Sequence, residues 1–192
     1  MKLAASLELF AYWEALRGAR GAPERNDIEP GAIRGILADT FILQFAPQDG
    51  FPFRVVGSRT NALAGRELRG ATFAGLWRQQ DRGEIARVLA GVADGAQPFL
   101  IGARGAADGA AGIDLESVLL PLRHHGATHS RVLGSLAPCA NAPWFGLLPI
   151  SPLEITSLRA LSAAATNGLS PRSSIATGFR RRGHLFVYSS RR

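Results

Sequence analysis

A helix at residues 82–93 lies between two groups of strand-like segments, and this order restricts the possible fold more than any other feature of the sequence. Its apolar residues recur at spacings of three and four, which places them on one helical face: Ile85, Val88, Leu89 and Val92. The strand-like segments span residues 40–46, 53–57, 98–104, 113–124 and 129–138. Strands on both sides of a helical block predict an α+β fold, with a five-stranded antiparallel sheet and flanking helices.

Two polar residues are expected to fix the starts of helical segments. Asp81 immediately precedes the long helix. Glu84 lies three residues after Asp81, which is the spacing of a capping box. Thr72 is the expected N-cap of a short helical turn that carries Phe73 and Trp77. These signals predict that the segment before the long helix is made of short turns.

Alternation along the strands predicts which side chains face the core. We expect Phe53 and Val55 to share one face of their strand, because side chains alternate with a period of two. Asp114 and Glu116 alternate with apolar residues, so both are expected to face solvent. Further along the chain, residues 153–163 are predicted to form a short helix.

The N-terminal residues predict a helical extension. Within residues 3–17, Leu9, Trp13 and Leu16 share one helical stripe, and a second apolar stripe lies beside it. Two interpretations stay open: the helix is half-buried on its own domain, or it also packs on a partner chain, as in a homodimer, with Leu9, Trp13 and Leu16 as the candidate interface residues. The predicted division is a helical extension (1–37), a central domain (38–140), a linker with a short helix (141–163) and a basic, partly flexible tail (164–192).

Positive charge is concentrated at the C-terminal end of the chain. The sequence has 22 Lys and Arg residues against 15 Asp and Glu. From Ala160 onward it has six arginines and no acidic residue, which leaves residues 1–159 close to neutral. Because binding of nucleic acid by a whole domain needs a basic face, we assign any binding of RNA, DNA or another anionic partner to the tail.

Residue types that carry chemistry are sparse. Cys139 is the one cysteine, which excludes an internal disulfide and a thiolate metal cluster. The four histidines are His124, His125, His129 and His184, and no serine lies in a nucleophile-elbow motif. The sequence therefore predicts no catalytic site and no metal site. No stretch reaches the ~18 apolar residues that span a bilayer, so we expect a cytoplasmic protein.

Several short motifs resemble the PAS fold. Asn61 with Gly65, the step from Leu68 to Gly70, and Asp81 before the long helix are similar to the PAS pattern. The longer pattern resembles stand-alone alphaproteobacterial PAS proteins once classed as a domain of unknown function, and it covers about residues 8–145. Its carrying segments are Trp13 with Leu16 and Arg17, Arg25 to Pro30, Phe53 to Gly57, Gly65 to Gly70, Leu76 with Trp77, Leu119 to Leu122, and Arg131 to Gly134.

The resemblance implies a sensory or regulatory module without catalytic residues. Haem-binding members typically carry a histidine on the long helix, and photosensing flavin members carry an Asn-Cys-Arg motif. Neither feature is present here, so the sequence argues against haem and photochemical flavin, and the cofactor stays unknown. The candidate lining of a cavity for a small apolar ligand is Phe41, Phe53, Val55, Trp77, Leu89, Leu100, Leu119 and Leu133. The alternative is a core that large side chains fill completely.

We therefore predict a role in intracellular signal transduction through contact with a signalling protein, with or without gating by a small ligand. One alternative is a module that binds nucleic acid or an anionic partner through the arginine-rich tail, with strong salt dependence. The other is a small-molecule enzyme on a cone-like α+β fold. That alternative needs a buried carboxylate or histidine in the cavity.

Overall fold

The computed structural model of the chain describes residues 1–46, 49–150, 152–162, 179–182 and 185–188; residues 127–129 and the last two segments are described by their backbone alone. The α-helices are α1 (Ala4–Arg17), α2 (Ser58–Ala64) and α3 (Arg82–Gly95). Short 3-10 helices span Arg25–Asp27, Pro30–Ile33, Leu37–Asp39 and Phe73–Leu76. The strands are β1 (Thr40–Gln44), β2 (Phe53–Val56), β3 (Phe99–Gly105), β4 (Ile113–His124), β5 (Ala127–Pro138), β6 (Glu154–Ala160), β7 (Phe179–Arg182) and β8 (Leu185–Tyr188).

All of these strands belong to one antiparallel sheet, in the order β2-β1-β5-β4-β3-β6-β8-β7. The predicted α+β fold is confirmed, with the five expected strands, the long helix between β2 and β3, and a helix at the N-terminus. The predicted division into domains stays a prediction. The basic tail predicted at 164–192 lies outside the described residues, apart from the backbone of β7 and β8.

The prediction of a short helix at residues 153–163 is wrong. Residues Glu154–Ala160 form β6, which pairs antiparallel with β3 from Phe99↔Ala160 to Arg104↔Glu154. Without this partner β3 would be an edge strand with a row of unpaired backbone groups. The pairing also buries Leu158 and Ala160 in the core. A contact between distant segments therefore decides the structure here, and a local pattern does not reveal it.

The sheet packs a layer on each of its two faces. Phe41, Leu43 and Leu119 point to the face that α3 covers. Their strand neighbours Ile42 and Leu120 point to the opposite face, which α1 covers. Because successive side chains of a strand point to opposite faces, the unbroken apolar run of β4 indicates that both faces are covered.

Helix α1 is attached to β4 at two points. The indole Nε1 of Trp13 donates a 2.8 Å hydrogen bond to the carbonyl oxygen of Pro121. The carboxylate of Glu116 accepts hydrogen bonds from the backbone N–H groups of Lys2, at 2.9 Å, and Leu3, at 3.1 Å. The expectation that Glu116 faces solvent is therefore wrong. Its carboxylate lies at the N-terminal, positive end of the α1 dipole, and the residue is only 4% exposed. Asp114 is exposed, as expected.

Of the two expected caps, one is present. The hydroxyl of Thr72 accepts a hydrogen bond from the backbone N–H of Gly75 at 3.2 Å, which confirms the N-cap. Asp81 makes no side-chain cap to α3. Its carboxylate instead accepts a hydrogen bond from the backbone N–H of Ile155 at 3.3 Å, which ties the start of α3 to β6. The expected capping box is therefore wrong, because β6 competes for the same carboxylate.

Strand β2 contains a bulge that changes which side chains face the core. Phe41 pairs with Val56 and Ile42 with Val55, but Leu43 pairs with Phe53. Arg54, between Phe53 and Val55, therefore has no partner residue on β1. An inserted residue reverses the alternation beyond it, so Phe53 is buried on the α3 face whereas Val55 is 48% exposed. The expectation that these two side chains share a face is therefore wrong.

Candidate functional site

The structure brings together five of the eight residues predicted to line an apolar cavity. Those five lie fully buried in the core cluster under α3: Phe41, Phe53, Trp77, Leu89 and Leu119. Leu100 and Leu133 lie on the other face of the sheet, in the cluster under α1, because each is displaced by one residue from the α3-facing positions. Val55 is on that second face as well and is half-exposed. The predicted lining set is thus divided by the sheet.

Aromatic rings occupy much of the space between the sheet and α3. The ring of Phe41 lies 5.3 Å from the rings of Phe53 and of Phe73, centroid to centroid. The ring of Trp77 lies 5.8 Å from that of Phe73. These are contact distances for aromatic pairs, which favours the filled-core alternative for this part of the domain. The buried indole Nε1 of Trp77 has no hydrogen-bond partner among the described residues.

An open cleft lies on the α1 face of the sheet, beyond the area that α1 covers. The register of the strands places Arg131 on this face. Arg131 of β5 pairs with Leu122 of β4, a residue of the cluster under α1, so both side chains lie on the same face of the sheet. Val55 of β2 lies on this face for the same reason, since it pairs with Ile42. The bulge residue, Arg54, also lines the cleft.

Two segments outside the sheet complete the cleft. The 3-10 helix Arg25–Asp27 contributes Arg25. The turn after α2 contributes Glu67 and Arg69, and it is held at the edge of β2 because the backbone N–H of Gly70 donates a 2.9 Å hydrogen bond to the carbonyl oxygen of Phe53. The cleft has a volume of about 480 Å³. We call this site the arginine cleft, after Arg25, Arg54, Arg69 and Arg131.

The arginines of the cleft are not paired with carboxylates of the chain. All 15 Asp and Glu residues lie in the described part of the chain, and none is within 4 Å of these four guanidinium groups. Elsewhere the chain does pair arginines: Arg59 with Asp39 at 2.5 Å, Arg78 with Glu154 at 2.6 Å, and Arg104 with Asp114 at 3.0 Å. Glu67 lines the cleft, but its carboxylate accepts hydrogen bonds from Asn61 and from the backbone of Arg69.

Arg131 is the most constrained of the four. Its Nη2 lies 3.3 Å from Nε2 of His124, and its buried Nε has no hydrogen-bond partner in the described structure. Burial, followed by the positive charges of Arg25 and Arg54, lowers the pKa of Arg131 below its ordinary value. The arrangement therefore holds like charges close together, with hydrogen-bond donors to spare.

Other chemistry has less support from the geometry. The rings of His124 and His125 have centroids 4.1 Å apart and are tilted by 49° to each other, while the side chain of His129 and all of His184 lie outside the described structure. Within the described ranges no three His, Cys, Asp or Glu side chains come together as a metal site would require. The same ranges contain no helix with the length and apolar character needed to cross a bilayer.

Residues 1–137 match the PAS domain family, which is more than half of the chain. The chain belongs to the PAS domain family. PAS domains are generally sensory modules rather than catalysts. The matched region of this PAS domain begins at residue 1, so it includes α1. No curated protein matched the chain.

The arginine cleft of this PAS domain was not among the sites expected from the sequence. Arg25, Arg54 and Arg131 each lie in a segment that carries the family resemblance, which is the one signal that the sequence offers. These arginines follow no regular spacing along the sequence, because the pairing of β1 with β2 and β5 brings them together in the fold. Charge totals hide the site as well, since residues 1–159 are close to neutral overall.

Proposed function

We propose that this PAS domain is a regulatory module that acts in signal transduction through protein–protein contact, and not through catalysis. The observation that carries the proposal is the double attachment of α1 to β4, through Trp13 to Pro121 and through Glu116 to the start of the helix. A partner that displaces or holds α1 therefore acts directly on a central strand of the sheet. Such a link gives a sensory domain a way to change what it presents to a partner.

The partner that we propose first is a second copy of the chain. Of the three expected interface residues, Leu9 and Trp13 are fully buried on the sheet of the same chain, and Leu16 is partly buried there. The outward side of α1 still carries apolar surface: Leu7 is 50% exposed and Phe10 is partly exposed. Leu7 belongs to the second apolar stripe predicted for the helix and is its exposed part, whereas Phe10 also packs against the cluster under α1.

Sedimentation velocity over a range of protein concentrations tests this proposal. The wild-type chain is expected to form a dimer, and Leu7→Glu is expected to shift it to monomer, because a charge replaces apolar surface in the contact. Leu147→Glu is the matched control, since Leu147 is 80% exposed and lies in the loop after β5. A wild-type chain that stays monomeric, or a dimer that survives Leu7→Glu, contradicts the proposed contact.

A further inference from the structure

We propose that the arginine cleft binds a small molecule that carries a phosphate group. The site is separate from the outward side of α1, so it goes beyond the proposed protein contact and does not depend on it. Four guanidinium groups and one carboxylate, Glu67, line the cleft, which leaves it strongly positive. A ligand of opposite charge is what such a surface selects.

The shortage of internal counterions is the first argument, since Glu67 is the one carboxylate that lines the cleft beside four arginines. Residues 163–192 contain no Asp or Glu, so no side chain of the tail can neutralise the cleft. Holding Arg25, Arg54 and Arg131 near one another costs electrostatic free energy; burial first, and then the charges of Arg25 and Arg54, lower the pKa of Arg131. An anion bound between the three arginines offsets this electrostatic repulsion. Without a bound anion, the repulsion lowers the stability of the fold.

The chemistry of the donors is the second argument. A guanidinium group offers several N–H donors in one plane, which match the oxygens of phosphate or carboxylate two at a time. A phosphate ester carries about 1.5 to 2 negative charges at neutral pH and three acceptor oxygens, whereas a monocarboxylate carries one charge. Phosphate therefore satisfies more of the spare donors and more of the excess positive charge.

The shape of the site is the third argument. A volume of about 480 Å³ lies in the range of roughly 300–1,000 Å³ that small-molecule sites occupy. Val55 and Val56 line the same cleft and offer apolar contact to the part of the ligand that lies beyond the phosphate. A neighbouring depression shares Arg54 and Arg69 and extends along Gln44 and Pro52, so the ligand has room in one direction.

Isothermal titration calorimetry of the full chain at low salt tests the proposal, with inorganic phosphate and inorganic pyrophosphate as probes. We expect both to bind and Arg54→Gln to weaken binding by at least about tenfold, since one charge-assisted contact is worth at least about 1.4 kcal/mol. Arg54 is exposed, so its replacement should leave the fold intact. Arg131→Gln should have an equal or larger effect, provided that circular dichroism shows the variant to be folded.

Arg87→Gln is the matched control, because Arg87 is exposed on α3, pairs with Glu84 and changes the net charge equally. Binding that is absent in the wild-type chain, or that falls equally in Arg87→Gln and Arg54→Gln, overturns the proposal. So does succinate binding as tightly as pyrophosphate, which would make the ligand a dicarboxylate. A single-stranded oligonucleotide is tested in the same way. If it binds far more tightly than pyrophosphate and loses that affinity in Arg54→Gln, the ligand of the cleft is a nucleic-acid backbone and not a small molecule. Sedimentation of the same variants shows whether the proposed dimer stands independently.

Discussion

The indole Nε1 of Trp13 and the carbonyl oxygen of Pro121 are 2.8 Å apart, and both groups are buried between α1 and the sheet. Proline has no backbone N–H, so β4 can offer only its acceptor at this position. The indole of Trp13 supplies a donor to that acceptor. The hydrogen bond therefore fixes where α1 crosses β4.

Trp13→Phe is expected to lower the free energy of unfolding by about 1–3 kcal/mol, because it leaves the buried carbonyl of Pro121 without its donor while keeping an aromatic ring. Trp13→Asp should cost more, about 3–5 kcal/mol, because it removes the ring and buries a charge. Urea denaturation measures both values. Equal stability of wild type and Trp13→Phe would show that α1 is not held by this contact.

Glu116→Gln is expected to loosen the start of α1 and to cost about 1–2 kcal/mol, since an amide lacks the charge that favours the positive end of a helix. Hydrogen exchange of the backbone amides of Lys2 and Leu3 should accelerate. Asp114→Asn is the control, because Asp114 is on the same strand but exposed. Comparable exchange in both variants would argue against the proposed capping by Glu116.

Gly134→Ala is expected to destabilise the sheet by about 1–3 kcal/mol. A Cβ atom at Gly134 would overlap the ring of Phe41 on the neighbouring strand and would lie 2.9 Å from the carbonyl oxygen of Val118. Gly83→Ala is the matched control in α3, where a Cβ meets nothing within 4 Å, and it should stabilise the chain by about 0.5–1 kcal/mol. Thermal unfolding of the two variants should therefore shift in opposite directions; a shift in the same direction contradicts the close packing of the Phe41 ring over Gly134.

The pKa of His124 is expected to rise in Arg131→Gln. Partial burial, then the charges of Arg131 and His125, hold this pKa below the usual 6.5. Removing the positive charge favours the protonated imidazole, whereas the burial remains, so the pKa should rise but stay below its usual value. An NMR titration of the imidazole resonances measures the change. An unchanged pKa would place the Arg131 side chain away from His124.

Local patterns predicted the elements whose own residues determine them. The long helix and β4 were predicted close to their observed bounds because their apolar spacing is regular. The position of β6 was missed because it depends on the free edge of β3, and the burial of Glu116 was missed because it depends on the arrival of α1. Both depend on contacts between segments far apart in the chain.

The candidate site was harder to predict than the fold for a related reason. An apolar lining can be guessed from strand alternation, but one bulge at Arg54 was enough to move Val55 out of the core. The arginine cleft needs the register of three strands and the position of two turns. Neither can be read from Arg25, Arg69 or Arg131 taken one at a time.

The bulge in β2 has a genetic consequence, because the inserted residue is itself an arginine. Deleting the single codon for Arg54 would restore strict alternation, with Phe53 and Val55 on opposite faces of the sheet, and would remove a positive charge from the cleft. A single deletion would then remove both the bulge in β2 and the charge of Arg54. A deletion of Arg54 therefore cannot remove the bulge while keeping this charge.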